Sequence, residues 1–96
     1  MATAVDWDEN KNLANIKKHG IDFSTVVAVF DDPLILTLPD PYSSEQRHRS
    51  IGAALNGILF VVHTIKELSC GDELVRIISA RYATSTERKA YEEGTC

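Results

Sequence analysis

The spacing of apolar residues changes along this chain, and each change predicts an element. Leu13 and Ile16 stand at helical spacing behind Trp7-Asp8-Glu9-Asn10. Asp8 suits the cap of that helix, and Gly20 suits its left-handed stop, after Lys17, Lys18 and His19 in the negative last turn. Asp22 opens a second helix over 23–30, with Phe23, Val26, Val27 and Phe30 along one stripe and Asp32-Pro33 as its end. Beyond Pro33 the pattern turns strand-like, over 34–38, 47–55, 58–66 and 74–81. Pro39-Asp40-Pro41 breaks the first of these in a polar loop that runs through Ser43-Ser44-Glu45. Asn56-Gly57 marks a hairpin, and Cys70-Gly71-Asp72 a second turn. Thr84 with Glu87 three residues later forms a capping box for a last helix ending near Gly94. The expected fold is α+β: two N-terminal helices, about four mostly antiparallel strands and one C-terminal helix.

A chain of 96 residues, 44% hydrophobic, has material for one modest core, so residues 1–96 read as a single domain. Its apolar runs fall short of the roughly 20 residues of a membrane helix, and MATAVDWDEN lacks a basic stretch followed by an apolar one. A cytoplasmic protein without membrane contact is expected. Cys70 and Cys96 are the only cysteines, too few for a disulfide framework or a zinc site. The sequence holds no glycine-rich phosphate loop, no metal-type histidine or cysteine spacing and no Gly-x-Ser-x-Gly turn.

The formal charge of −4 argues against bulk binding to nucleic acid, yet the charge is unevenly placed. Residues 1–46 carry three lysines against eight acids, residues 47–96 seven bases against six acids, and all five arginines lie in the second part. Two of them, Arg76 and Arg81, flank an otherwise apolar strand. Strict alternation points Val75, Ile77, Ser79 and Arg81 one way and Arg76, Ile78, Ala80 and Tyr82 the other, unless a bulge alters the phase. On the neighbouring strands His63 shares a face with Leu59, Val61 and Ile65, and Arg47 and Arg49 alternate with His48. Arginine suits phosphate because its planar fork donates two parallel hydrogen bonds and stays charged, and histidine suits proton transfer near neutral pH. Together they could hold an RNA phosphate while a neighbouring 2′-hydroxyl attacks it, a reaction needing no metal or other cofactor. Structural roles compete for each residue: ion pairs of Arg76 and Arg81 with Glu67, Glu73 or helix carboxylates, a packed His63, helix-end electrostatics for Lys18 and His19, an anchoring Trp7 and a packing Tyr91.

Several blocks carry a family resemblance. Trp7-Asp8 with Lys11 and Asn15, Lys18-His19-Gly20-Ile21-Asp22-Phe23, Val29-Phe30-Asp31-Asp32-Pro33, Glu45-Gln46-Arg47, Val61-Val62-His63-Thr64, and Arg76-Ile77-Ile78-Ser79-Ala80-Arg81 before Ala83-Thr84, Glu87-Arg88 and Tyr91-Glu92 together resemble the BrnT toxin family. The resemblance implies a type II toxin–antitoxin system with a RelE-like ribonuclease that inhibits translation by cutting RNA. It also implies neutralisation by a BrnA-type ribbon-helix-helix antitoxin, through which alone the complex reaches operator DNA. Carried onto matching positions, it gives Arg76, Arg81 and His63 catalytic roles and Arg47, Lys18 and His19 RNA contacts. The chain departs from the pattern at His48-Arg49, where larger apolar or aromatic residues are expected, and at Ile65, which replaces an acidic residue. These departures favour the competing reading, an inactive module that docks a DNA-binding antitoxin.

Overall fold

A computed structural model describes residues 3–41, 46–54 and 57–94. The elements in chain order are β1 (Thr3–Trp7), α1 (Glu9–His19), α2 (Phe23–Val26) running into a 3-10 segment (Val27–Asp31), β2 (Leu36–Pro39), β3 (Arg47–Ala54), β4 (Gly57–Glu67), β5 (Glu73–Tyr82) and α3 (Ser85–Glu93). Among the described residues the strands form one sheet in the order β1-β5-β4-β3-β2. Only β1 and β5 are parallel; the other neighbours are antiparallel.

The α+β architecture agrees with the pattern, with two corrections. A strand precedes the first helix: β1 lies along β5 from Thr3↔Glu73 to Trp7↔Ile77, extending the sheet to five strands. The expected helix over 23–30 tightens after one turn into a 3-10 segment. Three residues per turn bring Phe23, Val26 and Val29 into line, and all three are fully buried, whereas Val27 and Phe30 are half-buried. Asn56 of the hairpin, the loop residues Ser43, Ser44 and Glu45, and Cys96 lie outside the described residues.

The helix ends follow their local chemistry. Asp8 accepts from the Asn10 N–H at 3.1 Å, Asp22 from the Ser24 N–H at 3.0 Å, and Thr84 and Glu87 make both halves of the capping box. Gly20, at φ 73°, closes α1 with its N–H on the Ile16 carbonyl.

One sheet face packs against α2 and the 3-10 segment, with Leu59, Val61, Ile77 and Ala80 of the sheet meeting Phe23, Val26 and Val29. Trp7 packs edge-on to Phe23 at 6.2 Å, the anchoring role its sequence context suggests. The inward side of α1 is polar: Asn12 and Asn15 are buried, while Leu13 and Ile16 are exposed. Asn15 accepts from the Ala80 N–H and donates to the Ile21 carbonyl, both at 3.0 Å, and Asn12 accepts from the Phe23 N–H at 2.8 Å. These bonds fasten α1 along β5 beyond the end of β1 and satisfy backbone groups at an otherwise open edge. No helix among the described residues is long and apolar enough to cross a membrane.

Candidate functional site

A bulge decides where the arginines of β5 point. His63 pairs with Ile77 but Val62 pairs with Ser79, so Ile78 is an extra residue on β5 and the alternation changes phase there. Arg76 lies opposite Thr64, Ser79 opposite Val62 and Arg81 opposite Phe60, which brings both arginines to one face. Arg47 and Arg49 of β3, opposite Thr64 and Val62, share that face. The other face, towards the core, carries His48, Ser50, His63 and Ile77.

His63 therefore does not meet the arginines. It is 1% exposed, its Nε2 lies 2.6 Å from Ser50 Oγ, and its ring meets Phe30 edge-on at 5.0 Å and stacks on His48 at 6.0 Å. Ser50 in turn shares a 2.9 Å hydrogen bond with Thr37, forming a polar chain inside the core. Burial pushes the His63 pKa down to about 4; the Thr64 backbone opposes the shift and nearby His48 adds to it.

The two arginines of β5 are both ion-paired, in different ways. Arg76 sets its Nε–Nη2 edge on Asp6 of β1, each bond 3.1 Å, at an exposed position. Arg81 sets its Nη1–Nη2 end on Glu87 of α3 at 2.8 and 2.9 Å, with Nη1 also donating to the Tyr82 carbonyl at 3.2 Å. Its guanidinium lies 4.2 Å over the Phe60 ring. The bond to Glu87 raises the Arg81 pKa, and the same bond lowers that of Glu87.

Arg81 also lines a groove of about 430 Å³ between α1 and the arginine face. Phe60, Val62 and Ile78 make its floor, Ser79 and Arg81 stand on the sheet side, and Lys11, Lys18 and His19 stand on the helix side. The groove thus gathers Lys18, His19 and Arg81 of the residues expected from sequence. Arg47 and Arg76 lie farther along the same face, and His63 lies beneath it. Lys11 is a groove residue beyond those expected from sequence, and the signal for it is the helical stripe formed by Lys11, Ala14, Asn15 and Lys18, at spacings of three, four and seven. By sequence Glu87 stands as a capping residue and in the Glu87-Arg88 block, with nothing that singles out its pairing to Arg81.

A cationic rim over an apolar floor suits an unstacked nucleotide, with the base against Val62 and Ile78 and phosphates on the rim. The imidazole of His19, half-buried in the groove, can exchange protons there. Among the described residues no three histidine, cysteine, aspartate or glutamate side chains gather to hold a metal ion.

A model of the family described as "Ribonuclease toxin, BrnT, of type II toxin-antitoxin system" matches residues 7–87. That span runs from Trp7 at the end of β1 to Glu87 on α3 and includes every groove residue. No curated protein matches the chain.

Proposed function

The chain belongs to the BrnT family of ribonuclease toxins of type II toxin–antitoxin systems, and from that premise we propose that it is a metal-independent, cytoplasmic endoribonuclease of RelE-like fold whose working site is the groove between α1 and the sheet. The observation that carries this reading is the convergence of Lys11, Lys18, His19 and Arg81 on one apolar-floored groove. In the proposed reaction a 2′-hydroxyl gives its proton to the His19 imidazole and attacks the adjacent phosphorus. The bond from phosphorus to the 5′-oxygen breaks, and the departing oxygen takes a proton from solvent, to which His19 returns the one it received. The products are a 2′,3′-cyclic phosphate and a free 5′-hydroxyl, with no water consumed. Arg81 and the lysines supply positive charge where the phosphate gains negative charge, the work a metal performs in other nucleases. Proton transfer is given to His19 in preference to His63, whose Nε2 is committed to Ser50 inside the core. Arg47 and Arg76 serve as outlying phosphate contacts on the same face.

Family membership brings an antitoxin partner. We take it to be a BrnA-type ribbon-helix-helix protein that blocks the groove and carries the pair to operator DNA. The second reading, an inactive docking module, draws on the carboxylates that occupy Arg76 and Arg81.

The test is cleavage of a defined RNA by the isolated chain in EDTA, alone and on ribosomes, for the wild type and folded His19→Ala, Arg81→Ala and Arg76→Ala variants. Cleavage by the wild type that disappears in His19→Ala and Arg81→Ala, and persists at reduced affinity in Arg76→Ala, is expected. A folded wild type that cuts neither free nor ribosome-bound RNA overturns the nuclease in favour of the docking module.

A further inference from the structure

The pairing of Arg81 with Glu87 assigns the glutamate a task. An arginine offers two two-donor edges, the Nη1–Nη2 end and the Nε–Nη2 side. At Arg81 the end is filled by Glu87, and the remaining Nη1 hydrogen goes to the Tyr82 carbonyl. Among the described residues nothing bonds to its Nε–Nη2 side. At Arg76 the reverse holds, because Asp6 occupies that side.

Position relates the pair to the groove. Glu87 lines the cavity on the α3 side of Phe60, together with Arg49 and Ala90, while Arg81 lines the groove on the α1 side. The guanidinium stands between the two with its plane over Phe60. Glu87 holds one end of that plane on the α3 side, and Arg81 lines the same groove as Lys18 and Lys11.

We propose that Glu87 is a positioning residue for RNA, holding Arg81 so that its Nε–Nη2 side is presented to a phosphate in the groove. The inference rests on the reading of the groove as an RNA site and deepens it by naming how the phosphate is gripped. It runs against simple electrostatics, in which a carboxylate beside an anion site repels the ligand and its removal strengthens binding. A rotationally free arginine must lose side-chain entropy at the moment of binding, whereas one clamped by Glu87, Tyr82 and Phe60 has lost it already.

The experiment is equilibrium binding of a short single-stranded oligoribonucleotide with 2′-O-methyl sugars, which cannot be cut by its own 2′-oxygens. The proteins are the wild type, Glu87→Gln, Arg81→Ala, the double variant and Thr84→Ala. Glu87→Gln is expected to weaken binding on the order of tenfold, the scale of one charge-assisted hydrogen bond. In the Arg81→Ala background the same change should have almost no effect, since the two residues act as one unit. Thr84→Ala damages the same capping box without touching Arg81, and should lower thermal stability while leaving RNA affinity unchanged. Tighter binding by Glu87→Gln, an equal effect with and without Arg81, or an equal loss in Thr84→Ala overturns the proposal. A folded wild type that does not bind the oligonucleotide refutes the RNA groove itself, a result distinct from all of these.

Discussion

Ser50 and His63 show what a single hydrogen bond decides in this core. Ser50 is fully buried, and its hydroxyl stands between Thr37 at 2.9 Å and His63 at 2.6 Å. Replacing it by alanine strands the imidazole nitrogen without water or partner. Ser50→Ala should therefore cost about 1–3 kcal/mol, read from the urea midpoint, the usual penalty of an orphaned buried polar group. The histidine also makes stability depend on pH. Its folded pKa is lowered from 6.5 to about 4, so the unfolded chain binds the proton more readily. This contribution is complete above 6.5 and is lost as pH falls towards 4, by about 3 kcal/mol in all at 1.36 kcal/mol per pKa unit. Asp22, Asp32 and Glu87, with pKa values held below their ordinary 3.8 and 4.5, lose their contributions at lower pH. Denaturant titrations at a series of pH values should thus fall more steeply for the wild type than for His63→Gln between these limits. A slope unchanged by that substitution assigns the effect elsewhere. The sequence marks His63 by its place among Val61, Val62 and Thr64 but cannot say that Phe30 lies over it, since that contact comes from packing between distant segments.

At the scale of elements, the local signals of termination were legible and the direction of faces was not. Asp8, Gly20, Asp22 and the Thr84–Glu87 box act where their chemistry places them, because a cap involves groups within a few residues. Leu13 and Ile16 stand at helical spacing on α1, yet the helix turns Asn12 and Asn15 inward and leaves that apolar pair exposed. Backbone N–H groups of Ala80 and Phe23 needed acceptors at a sheet edge and a helix start, and that demand outweighed burial of two aliphatic side chains. Asn15→Leu removes an acceptor from Ala80 and a donor from the Ile21 carbonyl while keeping the volume. It should destabilise the fold by about 2–4 kcal/mol in urea denaturation, since both groups stay buried. Loss of less than half a kcal/mol, roughly the noise of a surface change, refutes this account of how α1 is held. The bulge at Ile78 was the other hidden decision. Alternation alone separates Arg76 from Arg81, and only pairing with β4 shows the extra residue that reunites them. β1 was missed for a related reason: a parallel edge strand of five residues, of which Ala4 and Val5 are the apolar interior, leaves little periodic signal before Trp7.

The whole molecule carries a net charge of −4, and on that number alone it should repel RNA. Binding is governed instead by the charges within a Debye length of the phosphates, about 10 Å at moderate ionic strength. Lining the groove are Lys11, Lys18 and Arg81, and the Arg81 charge is shared with Glu87 at 2.8 and 2.9 Å. The two effects give opposite signs for salt. If the groove dominates, each neutralised phosphate releases counterions, and the logarithm of the association constant falls with the logarithm of salt by about 0.7 per phosphate on a single strand. Two to three groove cations then give a slope of roughly −1.4 to −2.1 by that relation, and Lys18→Ala should make it shallower by about 0.7. If the net charge dominates, added salt screens repulsion and binding strengthens. Titrating the non-cleavable oligonucleotide over a range of potassium chloride concentrations separates the two. A negative slope that Lys18→Ala reduces locates RNA in the groove, and a flat or rising one places the cations of α1 outside the RNA contact.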